Sequence, residues 1–276
     1  MHRRALREAG VEGEYVPIGK SFDEFNIWLK GEVLTFDGFN VTIPYKTQVW
    51  DWIKNKVGGQ FGDPDVDEMS AVNTVVIENG RPVGYNTDGR GFLFPLDHFQ
   101  IDLSGMSVLL LGSGGAARAI AFALEKRGAG HLRIWNRTPH LSRAQNLAKG
   151  LNDRRGSSAF AVATDQIASL PVSDCTLLVN ATSYGMRLDG RENPLIDPEK
   201  LHKGQIVYDI VYQPRETRLI QEARKRDCRR VITGDEMLAA QGAASFELFV
   251  KKPGIAAKVF PVMHGVLVEH YSKLAS

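Results

Sequence analysis

Cysteine is scarce in this chain of 276 residues, which has only Cys175 and Cys228. Neither lies beside another cysteine or in a cluster of histidines, so we expect no disulfide framework and no metal site. Long apolar runs are absent too, and the first residues do not read as a charged-then-apolar leader. These absences predict a cytoplasmic protein that does not span a membrane.

An excess of charge of one sign is also lacking, because 34 Lys and Arg residues face 32 Asp and Glu residues. A net charge of +2 supplies no broad basic field, so nucleic acid is not an expected partner. The densest basic stretch, "RKRDCRR" at 224–230, is predicted to be a solvated helix end. The hydrophobic fraction of 43% and charged fraction of 24% are those of a globular protein. The length exceeds the usual size of one core and favours two domains.

From about Met106 onward, short apolar runs alternate with segments of helical period. Near-continuous apolar runs are typical of parallel strands buried on both faces, and their alternation with helices predicts a doubly wound sheet. The strands are expected at "SVLLL" (107–111), "LRIW" (132–135), "TLLVN" (176–180), "IVYDIV" (206–211) and "RVIT" (230–233), with a helix at 116–128.

The first hundred residues are less regular and predict a separate mixed α/β domain that ends near 98–105. Strands are expected at "EYVPI" (14–18), "FNVTI" (39–43), "NTVVI" (73–77) and "PVGYN" (82–86). Asn79-Gly80 is a strong signal for a tight turn between the last two. The last forty residues are helical in pattern and could pack on either domain.

"VLLLGSGGAARA" places Gly112, Gly114 and Ala117 in a G-x-G-x-x-A pattern between a predicted strand and a predicted helix. The first glycine allows a tight turn, the second lets a pyrophosphate approach the backbone, and the small third residue lets helix and strand pack closely. The free N–H groups at the start of the helix favour an anion. This context predicts dinucleotide binding by the loop Gly112, Ser113, Gly114, Gly115 and Ala116.

The second strand of this half ends in "WNRT", where NAD-binding members of such folds usually carry an acidic residue. Here Arg137 takes that place, with Thr138 beside it. A guanidinium pairs with a 2′-phosphate through charge-assisted hydrogen bonds, so this end favours NADP. The alternative is an ordinary surface arginine at a strand end.

"NVTIPYK" at 40–46 combines a β-branched run with Asn40, Thr42 and Lys46, and Pro44 interrupts it. In a strand of period two these polar residues would share one side, with Val41 and Ile43 facing the core. A hydride transfer to a carbonyl needs a group that handles the proton on oxygen, and Lys46 with Asp88 of "NTDG" can do so. Taken singly, each of the two residues is more often an ordinary surface charge.

Eight stretches in order resemble the motif set of the shikimate dehydrogenases, and the resemblance runs from about residue 2 to the C-terminus. They are "GFNVTIPYK", "AVNTVV", "GYNTDGRGF", "LGSGGAARA", "NRT", "NATSYGM", "YDIVYQP" and "MLAAQGAASFELF". The resemblance implies NADP-dependent, reversible reduction of 3-dehydroshikimate to shikimate, on the route to chorismate and the aromatic amino acids. It also implies two domains, a mixed α/β substrate domain (1–101 with about 238–276) and a Rossmann domain (102–237). The C-terminal helices then return to the first domain.

By position in these motifs, Lys46 resembles the catalytic lysine of the family and Asp88 resembles its partner. Six residues match substrate-binding positions: Asn40, Thr42, Asn73, Thr87, Tyr212 and Gln241. Asn136, Arg137 and Thr138 match the cofactor-phosphate motif, and Ile210 and Gly234 match positions along the nicotinamide. The implied partner is a small-molecule substrate, bound by a monomer or a homodimer.

Two departures qualify the resemblance. Family members begin with a strand and an S-x-S-P-x-x-H-N segment whose serines hold the substrate carboxylate, whereas this chain opens at "MHRRALREAG", with His2-Arg3 at the His-Asn position. We expect a start assigned too late, and the alternative is an incomplete carboxylate site.

The second departure concerns the cofactor-phosphate motif. The arginine that often supports the position of Arg137 is displaced by about two residues, to Arg143. The displaced arginine leaves the strength of the NADP preference open, and the alternative is a quinate/shikimate dehydrogenase that uses NAD. The missing serine segment favours a second alternative, a non-catalytic paralogue that binds a nucleotide or metabolite as a regulator.

Overall fold

The computed structural model describes residues 1–42, 44–155, 158–162, 169–186 and 195–275. The chain forms two compact units, Met1–Gly91 with Ala239–Ser276, and Phe92–Leu238. The domain limits predicted from the sequence, at 101/102 and 237/238, stay predictions. Within the described part of the chain, no helix is both long enough and apolar enough to cross a membrane.

The first unit is a small mixed sheet with helices around it. Its strands are β1 (Gly38–Asn40), β2 (Gln60–Phe61), β3 (Thr74–Glu78) and β4 (Arg81–Tyr85), in the order β1-β3-β4-β2. Its first helices are α1 (His2–Glu8), α2 (Phe22–Trp28), α3 (Lys46–Asp51, continued by a π-helical turn at Trp52–Lys56) and α4 (Pro64–Met69). The helix α5 (Asp88–His98) begins in this unit.

The hairpin of β3 and β4 is the part of this sheet that the sequence predicts best. Asn79 and Gly80 both have positive φ, 52° and 74°, which is the conformation that a two-residue hairpin turn requires. The strands pair antiparallel from Thr74 opposite Tyr85 to Glu78 opposite Arg81. The hairpin therefore fixes where Asn73 and the residues after Tyr85 emerge, side by side, at the open end of the two strands.

The C-terminal helices belong to the first unit, as the resemblance implied. They are α9 (Gly234–Val250), whose residues from Ala239 onward belong to this unit, and α10 (Ile255–Ala275). Ala5 of α1 is buried in one apolar cluster with Ala243 and Phe246 of α9 and with Val259 and Met263 of α10. Small residues at the contact let these helices approach closely, and the packing holds α9 against the N-terminal helix.

The second unit is a six-stranded parallel sheet in the order β10-β9-β8-β5-β6-β7. Its strands are β5 (Ser107–Leu111), β6 (His131–Trp135), β7 (Ala159–Val162), β8 (Leu177–Asn180), β9 (Ile206–Asp209) and β10 (Arg230–Ile232). Its helices include α6 (Gly115–Lys126), α7 (Leu141–Arg155) and α8 (Arg218–Lys225). Numbered along the chain this is the 3-2-1-4-5-6 order of a Rossmann fold, with the topological switch point between β5 and β8. The predicted doubly wound fold is confirmed.

Two strand predictions in the first half, and one omitted strand in each half, are corrected by the structure. Residues 14–18 form no strand, since Val16 and Ile18 are exposed and pair with no neighbour. The strand expected at 39–43 ends at Asn40, because Tyr45 N–H bonds Thr42 O in a turn and Lys46 starts α3; Ile43 lies outside the described residues. Two short edge strands, β2 and β7, were not predicted. Of the basic stretch at 224–230, Arg224 and Lys225 form the exposed end of α8, as expected, whereas 226–229 form the connection to β10 and Arg230 begins that strand.

Candidate active site

The partly buried Lys46 and the buried Asp88 form the centre of a polar cluster in the first unit. Lys46 is the first residue of α3, and its Nζ donates to Asp88 Oδ2 at 2.5 Å. The side chains are only 14% and 6% exposed. Asp88 begins α5, where the positive end of the helix dipole favours a carboxylate, and its N–H bonds Asn86 Oδ1 at 3.0 Å. The pair is thus a desolvated ammonium and carboxylate held by the starts of two helices.

Asn73 links this pair to two other predicted substrate residues. Its Nδ2 donates to Asp88 Oδ1 at 2.9 Å and lies 3.1 Å from Thr87 Oγ1 and 3.4 Å from Gln241 Oε1. Its Oδ1 accepts from Thr87 N at 2.9 Å and from Thr74 Oγ1 at 2.8 Å. Asn73 is 2% exposed, so every polar atom of its amide is bonded inside the protein. The structure therefore brings together Lys46, Asn73, Thr87, Asp88 and Gln241.

Asn40 and Thr42, the other two predicted site residues of "NVTIPYK", differ in whether they contact this cluster. Asn40 is half-buried, and its Nδ2 donates to Thr74 Oγ1 at 3.0 Å, which joins it to the amide of Asn73. Thr42 is exposed, and in the bonds between described residues its hydroxyl joins none of this cluster. Lys46 reaches the cluster from a helix and not from the predicted strand.

Tyr15 belongs to the same hydrogen-bond chain and was missed by sequence reasoning. Its hydroxyl donates to Asn40 Oδ1 at 2.9 Å, and burial raises the pKa of Tyr15 to about 12. The residue lies in the segment that was interpreted as a strand, so its side chain gave no separate signal of a site. Thr74 was missed for a similar reason, as an apparent member of an apolar strand.

The glycine-rich loop of the second unit has the geometry that its sequence predicts. Gly112 has a φ of 111°, and a side-chain carbon there would lie 2.8 Å from Ala181 O, across the switch point of the sheet. Gly114 precedes α6 with ordinary extended angles, and a side-chain carbon there would meet nothing within 4 Å. Gly112 is thus required by the fold, whereas Gly114 borders open space at a helix N-terminus, where a pyrophosphate fits.

The end of β6 is tied directly to this loop. Asn136 Nδ2 donates to the buried Ser113 Oγ at 2.6 Å, and Asn136 Oδ1 accepts from Arg137 N at 2.9 Å. The Arg137 and Thr138 side chains are exposed beside this contact. A guanidinium and a hydroxyl, with no carboxylate between 136 and 140, are therefore presented next to the glycine-rich loop.

Ile210 and Gly234 meet at the carboxyl edge of the same sheet. A side-chain carbon at Gly234 would lie 2.4 Å from Ile210 O, so only glycine fits there. Ile210 N–H bonds Asn180 O at 3.0 Å, which aligns the residue with the loop after β8. Tyr212, the remaining predicted substrate residue, is 37% exposed two residues further along.

Matched alanine substitutions in the loop separate its two glycines. We expect Gly112→Ala to lower the free energy of unfolding by about 1–3 kcal/mol, because its φ is unfavourable for alanine and its backbone contact is close. Gly114→Ala should stay within about 1 kcal/mol of the parent, yet weaken NADP binding about tenfold or more by filling the space of the pyrophosphate. Urea unfolding and a fluorescence titration with NADP measure the two effects. Equal losses of stability in both variants would contradict this assignment.

Comparison with known proteins agrees with this architecture. Residues 1–75 match the family model of the shikimate dehydrogenase substrate-binding domain. The chain is 37% identical over 273 residues to a shikimate dehydrogenase (NADP(+)) of Methanopyrus kandleri, covering 98% of this chain and 90% of that protein.

Solved structures agree over almost the whole length as well. A shikimate dehydrogenase in complex with NADP+ has a TM-score of 0.83 and 30% identity, covering 98% of this chain and 89% of that one. The ligand-free 5-ketofructose reductase of Gluconobacter sp. strain CHM43 has a TM-score of 0.81 and 31% identity, covering 97% and 91%. By its identity to the curated relative over nearly its full length, the chain belongs to the shikimate dehydrogenase family.

Proposed function

We propose that the chain catalyses the NADP-linked, reversible reduction of 3-dehydroshikimate to shikimate. The curated relative at 37% identity carries the name of this activity. The observation in the molecule that supports it most is the buried pair of Lys46 and Asp88 inside a cluster of amides and hydroxyls. Such a cluster suits a polyhydroxylated ring, because its donors and acceptors replace the water that the ring loses on binding.

The pair has the chemistry that the reaction requires. Reduction adds a hydride to the carbonyl carbon and a proton to the carbonyl oxygen, and bound NADPH supplies the hydride. In the proposed mechanism the Lys46 ammonium gives its proton to the developing alkoxide, and it takes the proton back in the oxidation of shikimate. Asp88 orients the ammonium through the 2.5 Å bond and stabilises its charge, so that Lys46 has one direction in which to donate.

The remaining polar residues are proposed to bind the substrate. Asn73, Thr87 and Gln241 present their amide and hydroxyl groups around Asp88, and Asn40 is linked to them through Thr74. Thr42 and Tyr212 are proposed from the resemblance alone. Substrate hydroxyls can replace the longest of the present bonds, those of 3.4 Å to Gln241 Oε1, with little loss.

The second unit fits the proposed cofactor. The open space at Gly114 and the N-terminus of α6 suit a pyrophosphate, and Ser113 with Asn136 fixes the loop beside the end of β6. Arg137 and Thr138 are proposed to hold the 2′-phosphate, and Ile210 and Gly234 to line the nicotinamide.

The preference for NADP should depend on Arg137. Charge-assisted hydrogen bonds contribute about 1.5–3 kcal/mol each, so Arg137→Ala should raise the KM for NADP about 10–100-fold and leave the KM for NAD nearly unchanged. Arg143→Ala measures the support from the displaced arginine, and Arg229→Ala, at another exposed arginine, is the control. Equal changes in the KM for NADP and the KM for NAD would show that Arg137 does not bind the 2′-phosphate.

Initial rates with a panel of substrates test the function itself. Purified chain is assayed with shikimate and quinate, each with NADP and NAD, and with 5-ketofructose and NADPH. We expect the highest kcat/KM for shikimate with NADP. Equal or better turnover of quinate with NAD, or of 5-ketofructose, would replace the proposed substrate, and inactivity with bound NADP would favour a regulatory paralogue.

Two further properties stay predictions from the sequence. The chain is proposed to act in the cytoplasm on a small-molecule substrate, as a monomer or a homodimer. Sedimentation equilibrium gives the oligomeric state directly.

A further inference from the structure

A fully buried carboxylate lies at the carboxyl end of β9, immediately before Ile210. Asp209 is 0% exposed. Its Oδ1 accepts from Val211 N at 3.0 Å and from Asn180 Nδ2 at 2.9 Å, and its Oδ2 accepts from Thr217 Oγ1 at 2.6 Å. One side chain therefore bonds the loop that follows its own strand, the end of the neighbouring strand and the start of α8.

The bond to Asn180 extends the network into the loop after β8. Asn180 Oδ1 accepts from Thr182 N at 3.1 Å and from Thr182 Oγ1 at 2.7 Å, and Asn180 Nδ2 also donates to Tyr184 O at 3.2 Å. Thr182 Oγ1 in turn accepts from Tyr184 N at 3.0 Å. The loop at 181–184 thus takes its shape from Asn180, which Asp209 holds in place.

The bond to Thr217 fixes the other end of the segment after β9. Thr217 is the N-cap of α8, and its Oγ1 accepts from Ile220 N at 3.3 Å. Gly185, with a φ of 94°, lies against Thr217, where a side-chain carbon would come within 3.6 Å of Thr217 Cβ. Thr217 therefore meets both loops at this edge of the sheet, because its hydroxyl bonds Asp209 and its side-chain carbons lie beside Gly185.

All three donors to Asp209 are neutral, and among the described residues no cation contacts it. Burial raises the pKa of Asp209 to about 6, against the three hydrogen bonds that lower it. Burying a carboxylate without a cation costs desolvation free energy, which lowers the stability of the fold. An apolar residue at the same position of β9 would not carry that cost. The three hydrogen bonds of Asp209 join two loops and the start of α8, so the carboxylate favours one conformation of these segments over others.

We propose that Asp209 is a positioning residue for hydride transfer, which holds the segment 210–217 in the arrangement that aligns Ile210 and Tyr212. The inference rests on the proposed function, because these two residues are proposed to line the nicotinamide and to bind substrate. Asp209 itself touches neither substrate nor cofactor in this account. It acts through the Val211 backbone N–H and the Thr217 hydroxyl that it holds.

The bond between the Asp209 carboxylate and the Thr217 hydroxyl is called the anchor below, and two variants remove it in different ways. Asp209→Asn keeps the acceptor for Val211 and Asn180 but presents an amide N–H₂ to the Thr217 hydroxyl, which then loses its acceptor. Thr217→Val removes the same bond without touching the carboxylate. The matched control is Gln205→Met, because Gln205 is equally buried at the opposite end of β9, where its Nε2 donates to Val172 O and Cys175 O.

The kinetic outcome should separate positioning from stability. Misplacement of a reacting group by about 1 Å can cost 10²-fold, so we expect at least a tenfold loss of kcat in both anchor variants. The Kd for NADP should stay within about threefold, since the phosphate loop is untouched. The deuterium isotope effect on kcat, measured with NADPH deuterated at C4 of the nicotinamide, should rise as hydride transfer becomes rate-limiting. Gln205→Met should lose stability while its kcat and isotope effect stay at parent values.

Amide hydrogen exchange tests the anchor without reference to activity. Exchange at 181–185 and 210–217 should rise about tenfold or more in both anchor variants and not in Gln205→Met. Parent-like exchange and kinetics in Asp209→Asn would overturn the inference and leave the proposed reaction intact. A parent chain without shikimate activity, in which the anchor variants alone show faster exchange, would overturn the reaction and support the anchor.

Discussion

Lys46→Met is expected to lower kcat for shikimate oxidation by about 10³-fold, in the range found for the loss of a general acid or base. Methionine keeps the length and much of the volume of lysine at a side chain that is 14% exposed, but it cannot carry a proton. The KM for shikimate should change by less than about threefold if Lys46 acts on the transition state, because the amides and hydroxyls around Asn73 are the groups proposed to bind the substrate in the ground state. Steady-state rates of NADPH formation measure both parameters.

The matched control for this variant is Lys54→Met. Lys54 lies in the π-helical turn that continues α3, and its Nζ bonds Asp67 at 2.9 Å on the surface, with a side chain that is 43% exposed. We expect parent activity from it. A rise in KM with unchanged kcat in Lys46→Met would assign Lys46 to binding and not to proton transfer.

Asp88→Asn should affect both activity and stability. Removing one partner of a buried ion pair leaves the other charge without compensation, and we expect a loss of about 3 kcal/mol in the free energy of unfolding. Lys46 would also lose the acceptor that orients it, so kcat should fall about 10²–10³-fold. Urea unfolding and steady-state kinetics give the two values.

A double variant distinguishes the ion pair from a general loss of packing. Lys46→Met combined with Asp88→Asn removes both charges, so it should be more stable than Asp88→Asn alone and remain inactive. Asp97→Asn is the control on the same helix, because Asp97 pairs with Arg127 at 2.7 Å with both side chains nearly half exposed. Its cost should stay below about 1 kcal/mol. Additive losses in the double variant would refute the coupling of Lys46 with Asp88.

The Rossmann half could be predicted from sequence because its strands are buried on both faces. Runs such as Ser107–Leu111 and Ile206–Asp209 are almost continuously apolar, which indicates strands buried on both faces of a sheet. The glycines after the first of these strands mark the turn into the first helix of this half. The edge strand Ala159–Val162 was missed because it is short and half exposed, so its residues lack that continuous apolar signal.

The first unit was harder to predict because its strands are short and depend on partners distant in sequence. β1 pairs with β3 over three residues only, and the β-branched run beyond Asn40 leaves the sheet at a turn. Val16 and Ile18 have the residue types of a strand but no neighbouring strand to pair with. Local propensity is a weak guide where such tertiary pairing decides the outcome.

Within the candidate site, residue type and motif indicated the pair of Lys46 and Asp88 and the amides that surround Asp88. The roles of these residues stay predictions, although five of them converge in the first unit. Tyr15 and Asp209 could not be found in this way, since each looks like an ordinary member of an expected strand. Their importance depends on which backbone and side-chain atoms lie opposite them, which a sequence does not state.

The most direct test of the account is a stoichiometric assay of the purified chain with shikimate and NADP⁺. NADPH is followed at the wavelength of the reduced nicotinamide, and the organic product is identified by mass spectrometry. We predict one 3-dehydroshikimate for each NADPH in the parent chain, and about 10³-fold slower formation of both in Lys46→Met. No turnover of shikimate by the parent chain, or equal rates in the two proteins, would contradict the account.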